Sequence, residues 1–117
     1  LWDVNTHKVV TTLDSGKSVK AIAFSPNGQQ LAAGGDDVEL WDVPSRIPLY
    51  RLNSGEINTL LFSQDGKLLI TGSDGIKGED GIKFWQVSTG TLVQVVDSVA
   101  SDLVLSQDGS MLATTYG

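Results

Sequence analysis

The sequence predicts an all-β fold built from repeated four-stranded antiparallel sheets, on the evidence of three recurring markers. Tryptophan returns roughly every 40 residues, at Trp2, Trp41 and Trp85. A turn motif returns at nearly the same spacing, as "FSPNG", "FSQDG" and "LSQDG". A third marker follows each turn, as "LAAGG", "LITGS" and "LATTY". Three markers that keep one order and one period indicate an internal repeat.

Each repeat has the pattern of short strands joined by tight turns. The segments "KVVTTL", "SVKAIAFS", "VELWDV", "INTLLFS", "IKFWQV" and "LVQVV" are short and rich in β-branched and aromatic residues. Many are apolar on both faces, which predicts sheets that are covered on both sides. Pro26 and Gly28 suit the positions that they occupy in a type I turn. Four strands in about 40 residues are typical of a β-propeller blade.

In chain order, the strands predict two whole blades flanked by two half blades. Residues from about 1 to 14 supply the third and fourth strands of a blade, and whole blades follow at about 18–53 and about 56–97. Residues from about 100 to 117 supply the first and second strands of another blade. We therefore predict β-propeller blades of four-stranded antiparallel sheets that are part of a larger ring or closed by oligomerisation.

Two ways of completing the ring remain open. The chain begins at Leu1 rather than Met, as expected of a segment whose remaining blades lie elsewhere in a parent chain. Alternatively, copies join head to tail as a homo-oligomer, so that the last two strands of one copy complete the first two of the next. Either arrangement would cover strand edges that otherwise promote aggregation.

The sequence resembles the WD-repeat family in its tryptophan motifs. The Trp-Asp signature of that family falls on Trp2-Asp3 and Trp41-Asp42, and Trp85-Gln86 is a variant of it. The Gly-His pair that precedes the first strand in the family is absent from all three repeats. The hydrogen-bond relay of a standard repeat is therefore not expected here in full.

A different acceptor is needed for the tryptophan side chains, because a buried indole N–H without a partner is costly. The strand position that carries Ser or Thr in the family holds Ala33, Thr71 and Thr114 in the successive repeats. We predict that Thr71 accepts the hydrogen bond of Trp85.

The resemblance implies a non-catalytic protein–protein interaction scaffold that presents loops to protein or peptide partners. Candidate contact residues are charged side chains in the loops on one face of the propeller: Lys17, Asp36, Asp37, Glu56, Lys77, Glu79 and Asp80. An acidic bias on that face would favour a basic partner segment. The competing interpretation is that these are ordinary solvated loop residues.

The loop before Trp85 contains "DGIK" twice, which indicates a short local duplication. A solvated hairpin extension is the favoured interpretation, and a partner-contact loop is the alternative. Asp74, Glu79 and Asp80 do not have the spacing of an EF-hand, and lysines lie among them. We therefore predict no metal site in this loop.

Composition excludes most chemistry. The net charge is −6 and the eight Lys and Arg residues are scattered, which disfavours nucleic acid and an anionic membrane as partners. No apolar run approaches the roughly 20 residues that span a bilayer. There is no cysteine, and His7 is the only histidine, so neither a nucleophilic triad nor a zinc site can be assembled. His7 is instead predicted to occupy a turn position with positive φ.

We accordingly predict no catalytic residue, cofactor or metal. The competing hypothesis is a propeller enzyme whose site lies in the central channel, where residues of the first strand of each blade would converge. The polar candidates for such a site are Lys20, Asn58 and Asp102.

Overall fold

The computed structural model describes residues 1–75 and 81–115. In those ranges the strands are β1 (Trp2–Asp3), β2 (Lys8–Val9), β3 (Val19–Phe24), β4 (Gln30–Gly35), β5 (Val38–Asp42), β6 (Ile47–Leu52), β7 (Thr59–Phe62), β8 (Leu68–Gly72), β9 (Ile82–Gln86), β10 (Thr91–Val96), β11 (Asp102–Leu105) and β12 (Leu112–Thr115). Nothing in the described part of the chain forms a helix with the length and hydropathy needed to cross a bilayer.

All strand pairs are antiparallel, and neighbours in the chain are neighbours in the sheet. The first blade has the order β3-β4-β5-β6 and the second blade the order β7-β8-β9-β10. Strands β1 and β2 form the N-terminal half blade, and β11 and β12 form the C-terminal half blade. The prediction of two whole and two half propeller blades is confirmed, and the strands of residues 1–75 and 81–115 do not close a ring.

Consecutive connections alternate between the two ends of each sheet. We call the end with the β1–β2, β3–β4, β5–β6, β7–β8, β9–β10 and β11–β12 connections the turn end. We call the end with the β2–β3, β4–β5, β6–β7, β8–β9 and β10–β11 connections the loop end. The two ends differ in length and composition, because the turn end repeats the same two turn motifs in successive blades.

The turn between the first and second strands is built in the same way each time. In the second blade, the Ser63 hydroxyl donates to Asp65 Oδ1 at 2.7 Å and accepts from the Leu68 N–H at 3.0 Å. Gly66 supplies the positive φ of 74° that the turn requires. Asn27 and Asp108 occupy the position of Asp65 in the other two turns. This repeated geometry explains why the turn motif is the most regular marker in the sequence.

The turn between the third and fourth strands explains the aspartate of the Trp-Asp pair. The Asp42 carboxylate accepts hydrogen bonds from the backbone N–H and the hydroxyl of Ser45, and these bonds lower the pKa of Asp42. Asp3 accepts in the same way from the Asn5 and Thr6 N–H groups. His7 and Arg46 have φ of 60° and 63° at equivalent positions. The prediction that His7 occupies a positive-φ turn position is confirmed.

Two apolar clusters join the blades. The larger cluster lies between the first and second blades and includes Leu40, Leu60 and Leu69. The smaller cluster lies between the second blade and the C-terminal half blade and includes Ile70 and Leu103. The Tyr50 hydroxyl also donates to the Val87 carbonyl across the blade boundary, and partial burial raises the pKa of Tyr50. The second blade is therefore packed against a neighbour on each side.

The acceptor predicted for Trp85 is confirmed. Its indole Nε1–H donates to Thr71 Oγ1 at 3.1 Å, and both side chains are buried. Thr71 is on β8 and Trp85 on β9, two adjacent strands of the second blade. The hydroxyl therefore fixes the tryptophan within its own sheet.

The prediction that the sheets are covered on both sides is wrong for the outermost strand of the second blade. All six residues of β10 are exposed, including Leu92, Val93 and Val95. The N-terminal half blade is also smaller than predicted, because the segment "KVVTTL" contributes only Lys8 and Val9 to β2. Strand β10 is the outer edge of its sheet, and β2 pairs only with β1 among the described strands.

Candidate functional site

The loops of successive blades are tied together at the loop end. The Ile57 N–H donates to the Gly35 carbonyl at 2.7 Å, and the Ala100 N–H donates to the Ser73 carbonyl at 2.7 Å. Each bond joins the end of a second strand to the segment that enters the following blade. The loop end is therefore a surface with fixed geometry rather than a set of independent loops.

Glycine permits this close approach. A Cβ atom built on Gly35 would lie 2.0 Å from the Ser18 carbonyl oxygen, which belongs to the backbone. A Cβ atom on Gly34 would lie 2.3 Å from Ile57 Cδ1 of the next blade. The two glycines that end the second strand of the first blade are therefore required for packing at the loop end.

An ion-pair network crosses the loop end of the first blade. Asp37 accepts from Lys17 Nζ at 3.4 Å and from an Arg51 guanidinium nitrogen at 3.2 Å. Arg51 also pairs with Glu39, which is directly opposite it in the β5–β6 register and is buried. A second guanidinium nitrogen donates to the Ser15 carbonyl at 2.7 Å. Arg51 thus neutralises a buried carboxylate, whose burial without a partner would be costly.

A second pair connects the first and second blades. Lys20 on β3 pairs with Glu56, which precedes β7. In addition, Lys83 Nζ donates to the Ser54 carbonyl at 2.9 Å. Three lysines and one arginine at the loop end are thus engaged in contacts within the chain.

The candidate contact residues differ in whether they form ion pairs within the described chain. Lys17, Asp37 and Glu56 are ion-paired within the chain. Asp36 is exposed at the tip of the β4–β5 connection, and no ion pair of Asp36 is formed within residues 1–75 and 81–115. The remaining candidates, Lys77, Glu79 and Asp80, lie outside the described residues.

Acidic side chains outnumber basic ones at the loop end of the described chain. The acidic residues in its loops and adjoining strand positions are Asp14, Asp36, Asp37, Glu39, Glu56, Asp74, Asp97 and Asp102, and the basic ones are Lys17, Lys20, Arg51 and Lys83. By contrast, Asp3, Asp42, Asp65 and Asp108 at the turn end serve as hydrogen-bond acceptors for their own turns. The loop end therefore carries most of the negative charge.

The residues considered for an enzyme site take part in separate contacts. Lys20 pairs with Glu56, whereas Asp102 accepts from Thr59 Oγ1 at 3.2 Å and from the Leu103 N–H at 2.9 Å. The Asn58 N–H donates to the Gly72 carbonyl at 2.9 Å. Within the described ranges, no group of three or more histidine or acidic side chains is arranged to hold a metal ion.

Sequence reasoning missed Arg51, Glu39 and Ser15, although the network depends on them. The Glu39–Arg51 pair could have been found by aligning the third and fourth strands of the first blade, since that alignment places them opposite each other. Ser15 contributes its backbone carbonyl, and a carbonyl has no signature in a sequence.

Comparisons with known proteins are consistent with this architecture. Residues 1–116 match the family described as eukaryotic translation initiation factor eIF2A. The chain is 28% identical to WD repeat-containing protein slp1 of Schizosaccharomyces pombe, over 97% of this chain and 24% of that protein. It is 32% identical to small ribosomal subunit protein RACK1y of Oryza sativa subsp. japonica, over 99% of this chain and 37% of that protein.

A solved structure shares the fold. Hydrazine synthase of Kuenenia stuttgartiensis superposes with a TM-score of 0.86 at 21% identity, over 95% of this chain and 33% of that chain. At this identity the similarity shows the fold alone. The present chain spans about a quarter to just over a third of the proteins that it matches.

Proposed function

This chain belongs to the eukaryotic translation initiation factor eIF2A family and has WD repeats; from that premise we propose that it is a non-catalytic protein–protein interaction scaffold. Its loop end presents charged loops to protein or peptide partners. The observation that carries this proposal is the fixed, acidic loop end, in which backbone hydrogen bonds join the loops of successive blades. A surface that is already ordered loses little conformational entropy when a partner binds.

The role proposed for each contact residue depends on its exposure and on the ion pairs that it forms. Asp36 is the central contact in this proposal, because it is exposed and forms no ion pair within the described ranges. The proposal also includes three ion-paired residues, Lys17, Asp37 and Glu56. A basic partner side chain can replace the partly exposed Lys17 as the ion-pair partner of Asp37. Lys77, Glu79 and Asp80 lie outside the described residues and are included in the proposal on the sequence alone.

The excess of acidic side chains at the loop end favours a partner segment that is basic. The family description refers to translation initiation, and RACK1y is named as a protein of the small ribosomal subunit. We therefore direct the first partner search to basic proteins of translation initiation. RNA itself is a poor fit, because the chain has a net charge of −6.

The propeller also requires further blades. In this proposal the units are about 1–14, 18–53, 56–97 and 100–117, and the ring is completed by the remaining blades of a parent chain or by a head-to-tail homo-oligomer. Completing the ring leaves the loop end exposed, since blades meet through their faces.

The test is binding of a short fluorescent oligolysine peptide, followed by fluorescence anisotropy at low ionic strength. Asp36→Lys is expected to weaken binding by about threefold or more, because reversing a charge at a binding surface slows association. Ser88→Lys is the control for the added lysine, since Ser88 is exposed at the turn end, and Asp36→Asn is the charge-matched variant, since it changes the net charge by one unit as Ser88→Lys does. Equal binding by Asp36→Asn and Ser88→Lys would contradict the assignment of the loop end.

A further inference from the structure

Asn27 and Gly28 form the only Asn-Gly pair in the sequence, and they lie in the turn between β3 and β4. In this dipeptide the glycine backbone nitrogen can attack the asparagine side chain, because glycine has no Cβ to block the approach. Both residues are exposed, so water reaches them. The other three asparagines, Asn5, Asn53 and Asn58, are each followed by Ser or Thr. Asn27 is therefore the asparagine of this chain with the least hindered neighbour.

The repeat carries an aspartate where the first blade has Asn27. Asp65 and Asp108 occupy this position in the β7–β8 and β11–β12 turns. Each accepts a serine hydroxyl at 2.7 Å, and Asn27 Oδ1 accepts the Ser25 hydroxyl at 2.8 Å. The backbone N–H two residues later donates to the same oxygen at 2.9 Å in the β7–β8 turn and at 3.0 Å in the other two. An aspartate at position 27 therefore fits the turn of the first blade without rearrangement.

The hydrogen bonds of the turn also activate the Asn27 side chain. The Ser25 hydroxyl and the Gln29 N–H both donate to Oδ1, the atom that gains negative charge when a nucleophile adds to Cγ. Donors that face a developing oxyanion stabilise the transition state. Asn27 Nδ2 forms no hydrogen bond within residues 1–75 and 81–115, so nothing in that part of the chain holds the nitrogen that leaves. The turn therefore makes Cγ an electrophile with a free leaving group.

We propose that Asn27 is a deamidation site and that the turn directs the reaction to aspartate. The Gly28 N–H donates to the Ser25 carbonyl at 2.8 Å, and opening of this bond frees the nitrogen for attack. The Gly28 nitrogen forms a bond to Asn27 Cγ, the Cγ–Nδ2 bond breaks, and Nδ2 leaves as ammonia with the Gly28 proton. Water then adds to Cγ of the cyclic imide, the new N–Cγ bond breaks, and a proton returns to the Gly28 nitrogen. The product is an aspartate, which adds one negative charge to the turn end.

The same donors decide which carbonyl of the imide reacts with water. Addition at the main-chain carbonyl would give isoaspartate, which lengthens the backbone by one carbon. The Ser25 and Gln29 donors face the oxygen on Cγ, so they favour addition at Cγ and hence aspartate. The aspartate then persists, because the equivalent hydrogen bonds lower the pKa of Asp108 to about 2 and an ionised carboxylate is a poor electrophile. This inference concerns the turn end and does not depend on the loop-end contacts.

The first test follows the mass of the folded 117-residue chain during incubation at mildly alkaline pH, which promotes loss of the proton from the attacking nitrogen. Replacement of an amide nitrogen by oxygen is detected by mass spectrometry, and peptide mapping assigns its position. Asn27 is expected to convert at least about tenfold faster than Asn5, Asn53 or Asn58, because only Asn27 precedes a glycine. Conversion of Asn27 at the rate of the other three would overturn the proposal.

The second test compares the products formed by the folded chain and by the chain in concentrated urea. Electron-transfer fragmentation of the peptide that contains residue 27 distinguishes aspartate from isoaspartate. The ratio of aspartate to isoaspartate is expected to be about threefold higher in the folded chain, because only the folded turn holds both donors at Oδ1. Equal ratios would overturn the directing role of the turn.

The third test asks whether the turn accepts the product. Asn27→Asp is expected to have a urea midpoint at neutral pH equal to or above that of the parent chain, because Asp65 and Asp108 form the same bonds. Asn27→Ala is the comparison and is expected to lower the midpoint, because it leaves both donors without an acceptor. A midpoint for Asn27→Asp as low as that of Asn27→Ala would show that the turn does not accommodate the product.

The last test moves the reaction to another turn. Asp108→Asn places an asparagine before Gly109, where a serine hydroxyl and a backbone N–H supply the same two donors. This asparagine is expected to convert to aspartate within about threefold of the rate at Asn27 in the same molecule. Asp97→Asn is the control, because Asp97 is exposed but precedes Ser98, and it is expected to react at least about tenfold more slowly. An Asp108→Asn chain that converts only at Asn27 would overturn the assignment of the reaction to this turn geometry.

Discussion

The first and second blades have nearly the same sequence pattern but different surroundings. The second blade packs against a neighbour on each side, whereas the first blade leaves apolar side chains of β3 exposed on the side that faces away from the second blade. As a result, Phe62 is buried and the equivalent Phe24 is exposed. The repeat therefore encodes which side chains point outward from a blade, and only the presence of a neighbour decides whether they are buried.

The largest expected difference between the blades comes from shortening the side chain at one repeat position in each blade. Leu60→Ala is expected to lower the free energy of unfolding by about 2–5 kcal/mol, because it leaves a cavity between two sheets. Ile22→Ala is the matched variant and is expected to change the free energy of unfolding by about 0.5 kcal/mol or less, because Ile22 is 65% exposed. Urea denaturation measures both values. Similar losses for the two variants would show that the first blade is not open.

The tryptophan sites give the next largest effect. Thr71→Val retains the side-chain shape but leaves the buried Trp85 N–H without its acceptor. The expected loss is about 1–3 kcal/mol of unfolding free energy. Thr114→Val is the control, because Thr114 occupies the same repeat position but is exposed. A loss for Thr71→Val no greater than for this control would show that the hydroxyl contributes nothing to stability.

A hydroxyl can also be added at the equivalent position of the first blade. Ala33 occupies the position of Thr71 in the first blade and has no hydroxyl to offer Trp41. Ala33→Thr is expected to raise the free energy of unfolding by about 0.5–1 kcal/mol, as a typical net gain from one hydrogen bond. Ala33→Val has the same branching without the hydroxyl and is the control. The prediction fails if Thr and Val have the same effect in urea denaturation.

The difference between the blades also explains what the sequence could predict. Strands, turns and the Thr71–Trp85 bond lie within one sheet, so the repeat period and the alignment of adjacent strands were enough to find them. The Lys20–Glu56 pair joins residues 36 positions apart in two different blades. Its formation depends on how one blade packs on the next, which no local pattern records. For this reason the sequence predicts the end of the sheet at which Lys17, Asp37 and Glu56 lie, but it does not predict the ion pairs that these residues form.

The smallest expected effect on stability concerns the turns between first and second strands. Asn27 and Asp108 accept hydrogen bonds at the same turn position, but only Asp108 carries a charge. Hydrogen bonds from the Ser106 hydroxyl, and then from the Ser110 N–H and hydroxyl, lower the pKa of Asp108 from 3.8 to about 2. Because the folded pKa is lower than the unfolded one, the stabilisation is complete above about pH 3.8 and is lost as the pH falls towards 2. Asn27 accepts the same bonds without titrating, from Ser25 at 2.8 Å and the Gln29 N–H at 3.0 Å.

Asp108→Asn therefore converts the last turn to the chemistry of the first. Urea midpoints of the wild-type chain and this variant are expected to differ by a constant amount above about pH 4 and to converge as the pH approaches 2. Part of the acid sensitivity remains in the variant, because the pKa values of Asp3, Asp42 and Asp65 are lowered as well. A difference that stays constant down to pH 2 would mean that the Asp108 charge does not stabilise its turn, and that the turns of the first blade and the C-terminal half blade are equivalent in acid.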